Sequence, residues 1–163
     1  MLLSGIDPTE VVTAAEADDG QGYRLGTLGS YDDPDNGTQV FMWVEAGEAI
    51  TAAGYLCVVD SGFIAEMVDT TSSAPGAGAG KTCGAAQAAI ASGGQGWIQV
   101  WGKGSLRTLA SAAIGTELTS SATPGAVDDA TTVGLEVING LTLNTATGGA
   151  EATNADAFFN WPN

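Results

Sequence analysis

The stretch that decides the fold is residues 96–102, Gly96-Trp97-Ile98-Gln99-Val100-Trp101-Gly102. Successive side chains of a strand point to opposite faces, so Ile98 and Val100 share one face while Gln99 and the two tryptophans share the other. Residues 40–44, Val-Phe-Met-Trp-Val, show the same pattern of two largely apolar faces. Such a strand is buried on both sides or lies at an interface between subunits. We therefore expect three side chains to be core or subunit-interface residues: Trp43, Trp97 and Trp101.

Outward from this stretch, between Thr38 and the end of the chain, short apolar runs alternate with turns rich in Gly, Asn and Pro. This alternation is typical of an all-β protein. Residues 84–92 are rich in alanine, but their short length and flanking glycines favour a strand and a turn over a helix. The candidate strands are 39–44, 55–60, 63–68, 82–88, 96–102, 106–110, 117–120, 133–138, 141–144 and 157–161.

An approximate internal repeat relates two parts of this region. Residues 40–43 and residues 98–101 both end in tryptophan, and each is followed by an alanine-rich turn and a further strand. Both copies then continue to a Gly-Gly turn and another strand that ends in tryptophan, at Trp101 and Trp161. A duplicated strand unit of this kind predicts a small β-barrel or β-sandwich domain, which we assign to residues 38–163.

Residues 1–37 have a different character. Their apolar side chains are scattered, and the segment ends in the acidic turn Asp32-Asp33-Pro34-Asp35-Asn36-Gly37. The turn does not fit the frame of an EF-hand, although a looser calcium site built from its aspartates stays open. Two interpretations of the segment also stay open: an extended N-terminal arm that orders against a partner, or an irregular segment packed on its own domain.

The charge of the chain argues against several classes of partner. Nineteen Asp and Glu residues stand against four Lys and Arg, which gives a formal net charge of −15. Such a chain repels nucleic-acid phosphates and anionic membrane surfaces, so we expect no nucleic acid and no membrane as partner. The sequence contains no histidine, the commonest general base and metal ligand, which argues against an enzyme.

The first residues lack the basic and apolar regions of a signal peptide, and no stretch approaches the ~20 apolar residues of a membrane span. We therefore expect synthesis in a cytosol, where Cys57 and Cys83 stay reduced. Residues 76–82 resemble a phosphate-binding loop, but Pro75 occupies the position that requires its first glycine. The acidic pairs Asp18-Asp19 and Asp128-Asp129 are expected to be solvated turns, because neighbouring carboxylates point apart. No motif predicts a catalytic residue, a cofactor or a metal.

Three stretches of the chain occur in a distinctive order: an Ala-Ile turn at Ala49–Leu56, a strand of small residues at Cys83–Ala86 and a strand bounded by glycines at Gly96–Gly102. In this order they resemble the capsid decoration, or cement, proteins of tailed phages. The stretches 112–118 and 139–143 resemble later elements of the family. The resemblance covers residues 38–161, and this chain departs from the family pattern at Tyr55, where aspartate is usual.

The resemblance implies a structural, non-enzymatic virion protein that is made in the host bacterial cytoplasm and binds the outside of the capsid. It also implies a small β domain, often a homotrimer, that clamps neighbouring copies of the major capsid protein. On this view the arm residues expected to contact the capsid are Leu2, Leu3, Ile6, Tyr23, Leu25 and Tyr31. Three other functions stay open: a tail-tube or head-fibre base protein, a carbohydrate-binding β module with an exposed tryptophan, and a hydrolase with converging carboxylates.

Overall fold

The computed structural model describes residues 2–74, 82–130, 137–148 and 153–160. Strands account for 46% of the described residues and helix for 4%, so the all-β prediction is confirmed. In chain order the elements are β1 (Leu2–Ser4), β2 (Val11–Val12), α1 (Ala14–Asp18), β3 (Leu28–Asp33), β4 (Gly37–Ala46), β5 (Leu56–Val59), β6 (Ile64–Met67), β7 (Thr82–Ala86), β8 (Gln95–Thr108), β9 (Thr119–Ser120), β10 (Val127–Asp128), β11 (Leu141–Leu143) and β12 (Thr153–Asn160).

Five strands pair in a closed cycle at the centre of the fold. β4 pairs with β8 in antiparallel fashion and with β6 in parallel, and β5 and β7 complete the cycle between β6 and β8. Further strands are attached on both sides, so the result is one large mixed sheet and not the clean small barrel that the sequence suggested. The strands and loops of the cycle share one aliphatic core, formed by Met42, Val44, Ala46, Ile50, Cys57, Val59, Ala65, Ala86, Ile90, Ile98 and Val100.

Two loops of this cycle follow the same short pattern. The pattern Ala-x3-Ile-x3-Gly at residues 46–54 recurs at residues 86–94. Ile50 and Ile90 exchange two backbone hydrogen bonds, each 2.9 Å from nitrogen to oxygen. This repeat differs from the one expected between residues 40–43 and 98–101, which instead lie side by side on antiparallel strands.

The two halves of β8 contribute to two further cores. Its N-terminal half joins an aromatic core of Ile6, Phe41, Trp43 and Trp97. Its C-terminal half contributes Leu106 to a second core, which the C-terminal strands and loops complete with Leu118, Leu141 and Phe159 among others. β8 is one continuous strand where two were expected, because both halves are paired and each has a core to bury.

The N-terminal segment belongs to the sheet, which corrects the expectation of an extended arm. β1 pairs in parallel with β3, and β2 pairs with β8. β3 and β4 form an antiparallel hairpin from Leu28↔Met42 to Asp33↔Gly37, so the expected domain boundary at residue 37 falls inside a hairpin. The physical reason is that the aromatic side of β4 and β8 needs an apolar cover, which this segment provides. The alternative interpretation, a segment packed on its own domain, agrees with the structure.

The helix α1 was not expected, although the sequence carries its start signal. The Thr13 side chain accepts a hydrogen bond from the Glu16 N–H at 3.3 Å, and the Glu16 carboxylate accepts one from the Thr13 N–H at 2.7 Å. This reciprocal capping box recurs where Thr is followed three residues later by Glu. The strand expected at 133–138 falls mostly outside the described residues, as does Trp161.

Candidate interaction surface

The aromatic core settles the position of two of the three tryptophans of interest. Trp43 is 0% exposed and Trp97 is 1% exposed. Their ring centroids are 5.0 Å apart in an edge-to-face arrangement, and the Tyr23 ring lies 5.1 Å from each of them. The Trp43 indole N–H donates a hydrogen bond to the Gln95 side-chain oxygen at 2.9 Å. Trp43 and Trp97 are therefore core residues within a single chain.

The residues expected to contact a capsid through a free arm are used in the same core. Ile6 is buried, and Leu3, Tyr23, Leu25 and Tyr31 are partly buried against the aromatic cluster. The Tyr23 hydroxyl donates a hydrogen bond to the Glu10 carboxylate at 3.2 Å, and burial together with that carboxylate raises the pKa of Tyr23. These side chains therefore do not belong to a free arm, because their apolar surface packs within the chain, and their contact with a capsid stays a prediction. Of Leu2 the structure describes only the backbone, in β1.

An irregularity in β8 separates the buried tryptophans from the third one. The register between β4 and β8 shifts between Val40 and Phe41, and Gly102 adopts φ +95°. The buried Gln99 amide donates hydrogen bonds to the carbonyls of Trp101 and Lys103, at 3.2 and 3.1 Å. The Gln39 amide donates a second one to the Lys103 carbonyl at 2.5 Å. These two glutamines satisfy backbone carbonyls at the irregularity, beyond which one side of β8 reaches solvent.

That solvent-facing side carries the candidate surface, which we call the Trp101 surface. Trp101 is 36% exposed and Phe158 is 38% exposed, with ring centroids 5.8 Å apart in an edge-to-face pair. Lys103 lies 3.4 Å from the Asp156 carboxylate, and the Arg107 guanidinium stacks 4.3 Å from the centroid of the Tyr55 ring. The surface comprises the outward side chains of β8 and β12: Trp101, Lys103, Arg107, Asp156 and Phe158.

The charge of this surface differs from that of the chain. The chain has four cationic side chains in all, and three of them, Arg24, Lys103 and Arg107, lie in the described ranges. Two of those three are on the Trp101 surface, where the register places Phe158 opposite Lys103. A chain of net charge −15 therefore concentrates positive charge beside its exposed aromatic pair. Sequence reasoning identified Trp101 but not this combination, which depends on the pairing of β8 with β12.

Several of the acidic residues considered for metal binding or catalysis accept hydrogen bonds from the chain itself. The Asp33 carboxylate accepts hydrogen bonds from the backbone of Asp35 and Asn36, at 2.9 and 2.8 Å, and so holds the acidic turn. The Asp129 carboxylate accepts one from the Ala113 N–H at 2.9 Å. Burial raises the pKa of Asp128, whose carboxylate accepts a hydrogen bond from the neighbouring backbone. The glycine-rich loop at 76–81 lies outside the described residues.

The two cysteines are free thiols on adjacent strands. Cys57 on β5 lies opposite Gly84, and Cys83 on β7 lies opposite Val58. Since the two thiols are displaced by one residue across the pair, they point to opposite faces of the sheet. Cys57 lies in the aliphatic core of the cycle, whereas Cys83 packs against the C-terminal core. This geometry is incompatible with a disulfide between them.

We therefore expect the native protein to show no fast-reacting thiol toward Ellman's reagent at pH 8. Burial raises the pKa of Cys57 far above its usual range and the pKa of Cys83 to about 11, and only the thiolate reacts. After unfolding in guanidinium chloride without reductant, both thiols should react at once. An unfolded protein with no reactive thiol would contradict the prediction, because it would indicate a disulfide.

Among residues 2–74, 82–130, 137–148 and 153–160, no three His, Cys, Asp or Glu side chains are grouped so that they could hold a metal ion. The same part of the chain has no helix that is long and apolar enough to cross a lipid bilayer. No protein-family model, curated protein or solved structure matches the chain.

Proposed function

We propose that this chain is a capsid decoration, or cement, protein of a tailed phage, which binds the outer surface of the major capsid protein lattice and stabilises the head. One observation carries the proposal. The three stretches that resemble the family, residues 49–56, 83–86 and 96–102, fold next to one another around the central cycle of strands. These three stretches are therefore neighbours in space, as expected if they belong to one structural unit, while the later stretches 112–118 and 139–143 contribute to the C-terminal core.

The proposed role is structural and requires no catalytic residue, cofactor or metal. A decoration protein made in the host cytoplasm needs a stable domain and a surface that meets many equivalent lattice sites. Weak binding of each copy is sufficient when a trimer engages several capsid subunits at once, because the second and third contacts are intramolecular. The strongly negative charge favours solubility of the free protein before it assembles.

Co-sedimentation with undecorated phage capsids tests the proposal. We expect saturable binding at a fixed number of copies per capsid, and a shift of the capsid's thermal disruption to higher temperature. Capsids that already carry their decoration protein serve as the matched control and should bind little more. An absence of saturable binding to undecorated capsids from a panel of tailed phages, including the parent phage of this chain, would contradict the proposal.

A carbohydrate-binding module is the second candidate, because Trp101 is exposed. Its register partner Asn160 is exposed as well, and an aromatic ring beside an amide is a common platform for a sugar. A glycan array probed with the wild-type protein and with Trp101→Ala tests this alternative. Binding that disappears in the variant would support it, whereas no binding to any glycan would remove it.

A further inference from the structure

We propose that the Trp101 surface is a contact between copies of this chain, with the acidic side of a second copy as its occupant. The inference rests on the self-association included in the proposed function, and it does not depend on capsid binding. Three features of the structure carry it: the exposed aromatic pair, the local positive charge, and the acidic turn beside them.

The aromatic pair provides the apolar centre of the contact. Trp101 and Phe158 project from two paired strands, so their backbone positions are fixed before any partner arrives. Rigidly held aromatic side chains lose little conformational entropy on binding and dominate the energetics of many interfaces. Ile114 is more exposed, at 59%, but it lies in a loop outside the named strands. The aromatic pair is therefore the better anchor.

The positive charge explains why this surface in particular suits a second copy. Two chains of net charge −15 repel each other, so contact between them is least costly where the local charge is least negative. Lys103 and Arg107 make the Trp101 surface such a place. The carboxylate of Asp156 lies 3.4 Å from Lys103, and within the described residues Arg107 forms no salt bridge, so its guanidinium can pair with a carboxylate supplied by the neighbour.

The acidic turn makes the surface complementary to itself. β4 leads from this turn directly to Val40, which lies opposite Trp101. Thr38 connects the acidic turn to β8. Its hydroxyl donates a hydrogen bond to the Asp32 carboxylate at 2.8 Å, and its carbonyl oxygen is so close to Gly102 that a Cβ added there would lie 2.7 Å away. The acidic turn and the Trp101 surface therefore lie at the same end of the β4–β8 pair. Rotation of a second copy about a nearby symmetry axis brings the acidic turn of one copy to the cations of the other.

Light scattering of the full-length protein over a range of concentrations tests the inference, with two charge reversals as a matched pair. Lys103→Glu and Arg24→Glu change the net charge equally, but Arg24 is an exposed residue in the loop between α1 and β3. We expect wild type and Arg24→Glu to form the same oligomer. Lys103→Glu should raise the dissociation constant about tenfold or more. Trp101→Ala should do the same, with an unchanged far-ultraviolet circular dichroism spectrum.

Zero-length carbodiimide cross-linking gives a second measurement, because the sequence contains only two lysines, Lys81 and Lys103. We expect an amide between Lys103 of one copy and an acidic residue of another, identified by mass spectrometry of the cross-linked oligomer, whereas an amide between Lys103 and Asp156 of the same copy leaves the chain a monomer on a denaturing gel. Lys103→Arg retains the charge and should retain the oligomer, but it should lose this cross-link.

The results that would contradict this inference can be told apart from those that would contradict the proposed function. A wild-type protein that stays monomeric at all concentrations overturns the inference, and so does equal weakening by Lys103→Glu and Arg24→Glu, which would indicate a global charge effect. Glycan binding through Trp101 by a monomer would assign the surface to carbohydrate instead. Capsid co-sedimentation of the wild type is measured separately, so an oligomer that binds no capsid contradicts the proposed function and leaves this contact standing.

Discussion

Replacing Trp43 with alanine is expected to lower the free energy of unfolding by about 3–5 kcal/mol. Trp43 is fully buried between the rings of Trp97 and Tyr23, so truncation removes its apolar contacts and leaves a cavity. The variant also leaves the Gln95 side-chain oxygen without its indole donor. A Cβ placed on Gly22 would lie 2.9 Å from the Trp43 ring, which shows that the N-terminal loop packs directly on it. The substitution therefore removes contacts that the Trp43 ring makes with two segments, β8 and the N-terminal loop.

Urea denaturation followed by circular dichroism measures this loss. Trp101→Ala is the matched control, since the same residue type is truncated at a site where more than a third of the side chain is exposed. We expect the control to lose roughly 1 kcal/mol at protein concentrations where the chain is a monomer, because much of its ring then contacts water. Equal losses for the two variants would contradict the placement of Trp43 in the core and of Trp101 at the surface.

The strands of the central cycle were predictable because their periodicity is strong. Residues 40–44 and 96–102 are apolar on both faces, and both lie in strands that are buried over most of their length. Periodicity identifies the faces of a strand but not the elements that cover them. It therefore left Trp43 and Trp97 undecided between core and subunit interface. The packing of residues 1–37 over these tryptophans was not predicted, because Ile6, Tyr23 and Leu25 are irregularly spaced in the sequence.

The candidate surface was predictable only in part, for a related reason. Strand alternation predicts that Trp97 and Trp101 lie on the same face of β8, yet Trp97 is buried and Trp101 is exposed. The difference arises at the irregularity in β8, where Gly102 has a positive φ and Gln99 binds two backbone carbonyls. The glycines at 102 and 104 are a sequence signal for such an irregularity. The arrival of β12 beside β8 depends on long-range pairing, which local sequence does not encode.

Removal of residues 1–37 is expected to abolish cooperative folding of the remaining chain. The deletion strips β3 from β4 and uncovers the outer side of Phe41, Trp43 and Trp97. A fully buried aromatic side chain hides on the order of 150–250 Å², so uncovering about half of the surface of these three costs roughly 6–9 kcal/mol at ~25 cal/mol per Å². That loss is comparable to the whole stability of a typical domain, about 5–15 kcal/mol. The truncated chain should therefore aggregate, or lose the sigmoidal urea transition of the full-length protein.

Addition of a synthetic peptide of residues 1–37 distinguishes this outcome from the behaviour of an extended arm. If the segment is part of the sheet, the peptide should restore a cooperative transition to truncated chain refolded in its presence, because it can again pair with β4 and cover the tryptophans. A free arm predicts the opposite: a truncated protein with the melting temperature of the full-length chain and no response to the peptide. Loss of capsid binding after this deletion would report a loss of fold. The contribution of a surface to assembly is therefore better measured with single substitutions such as Lys103→Glu, which leave the aromatic core covered.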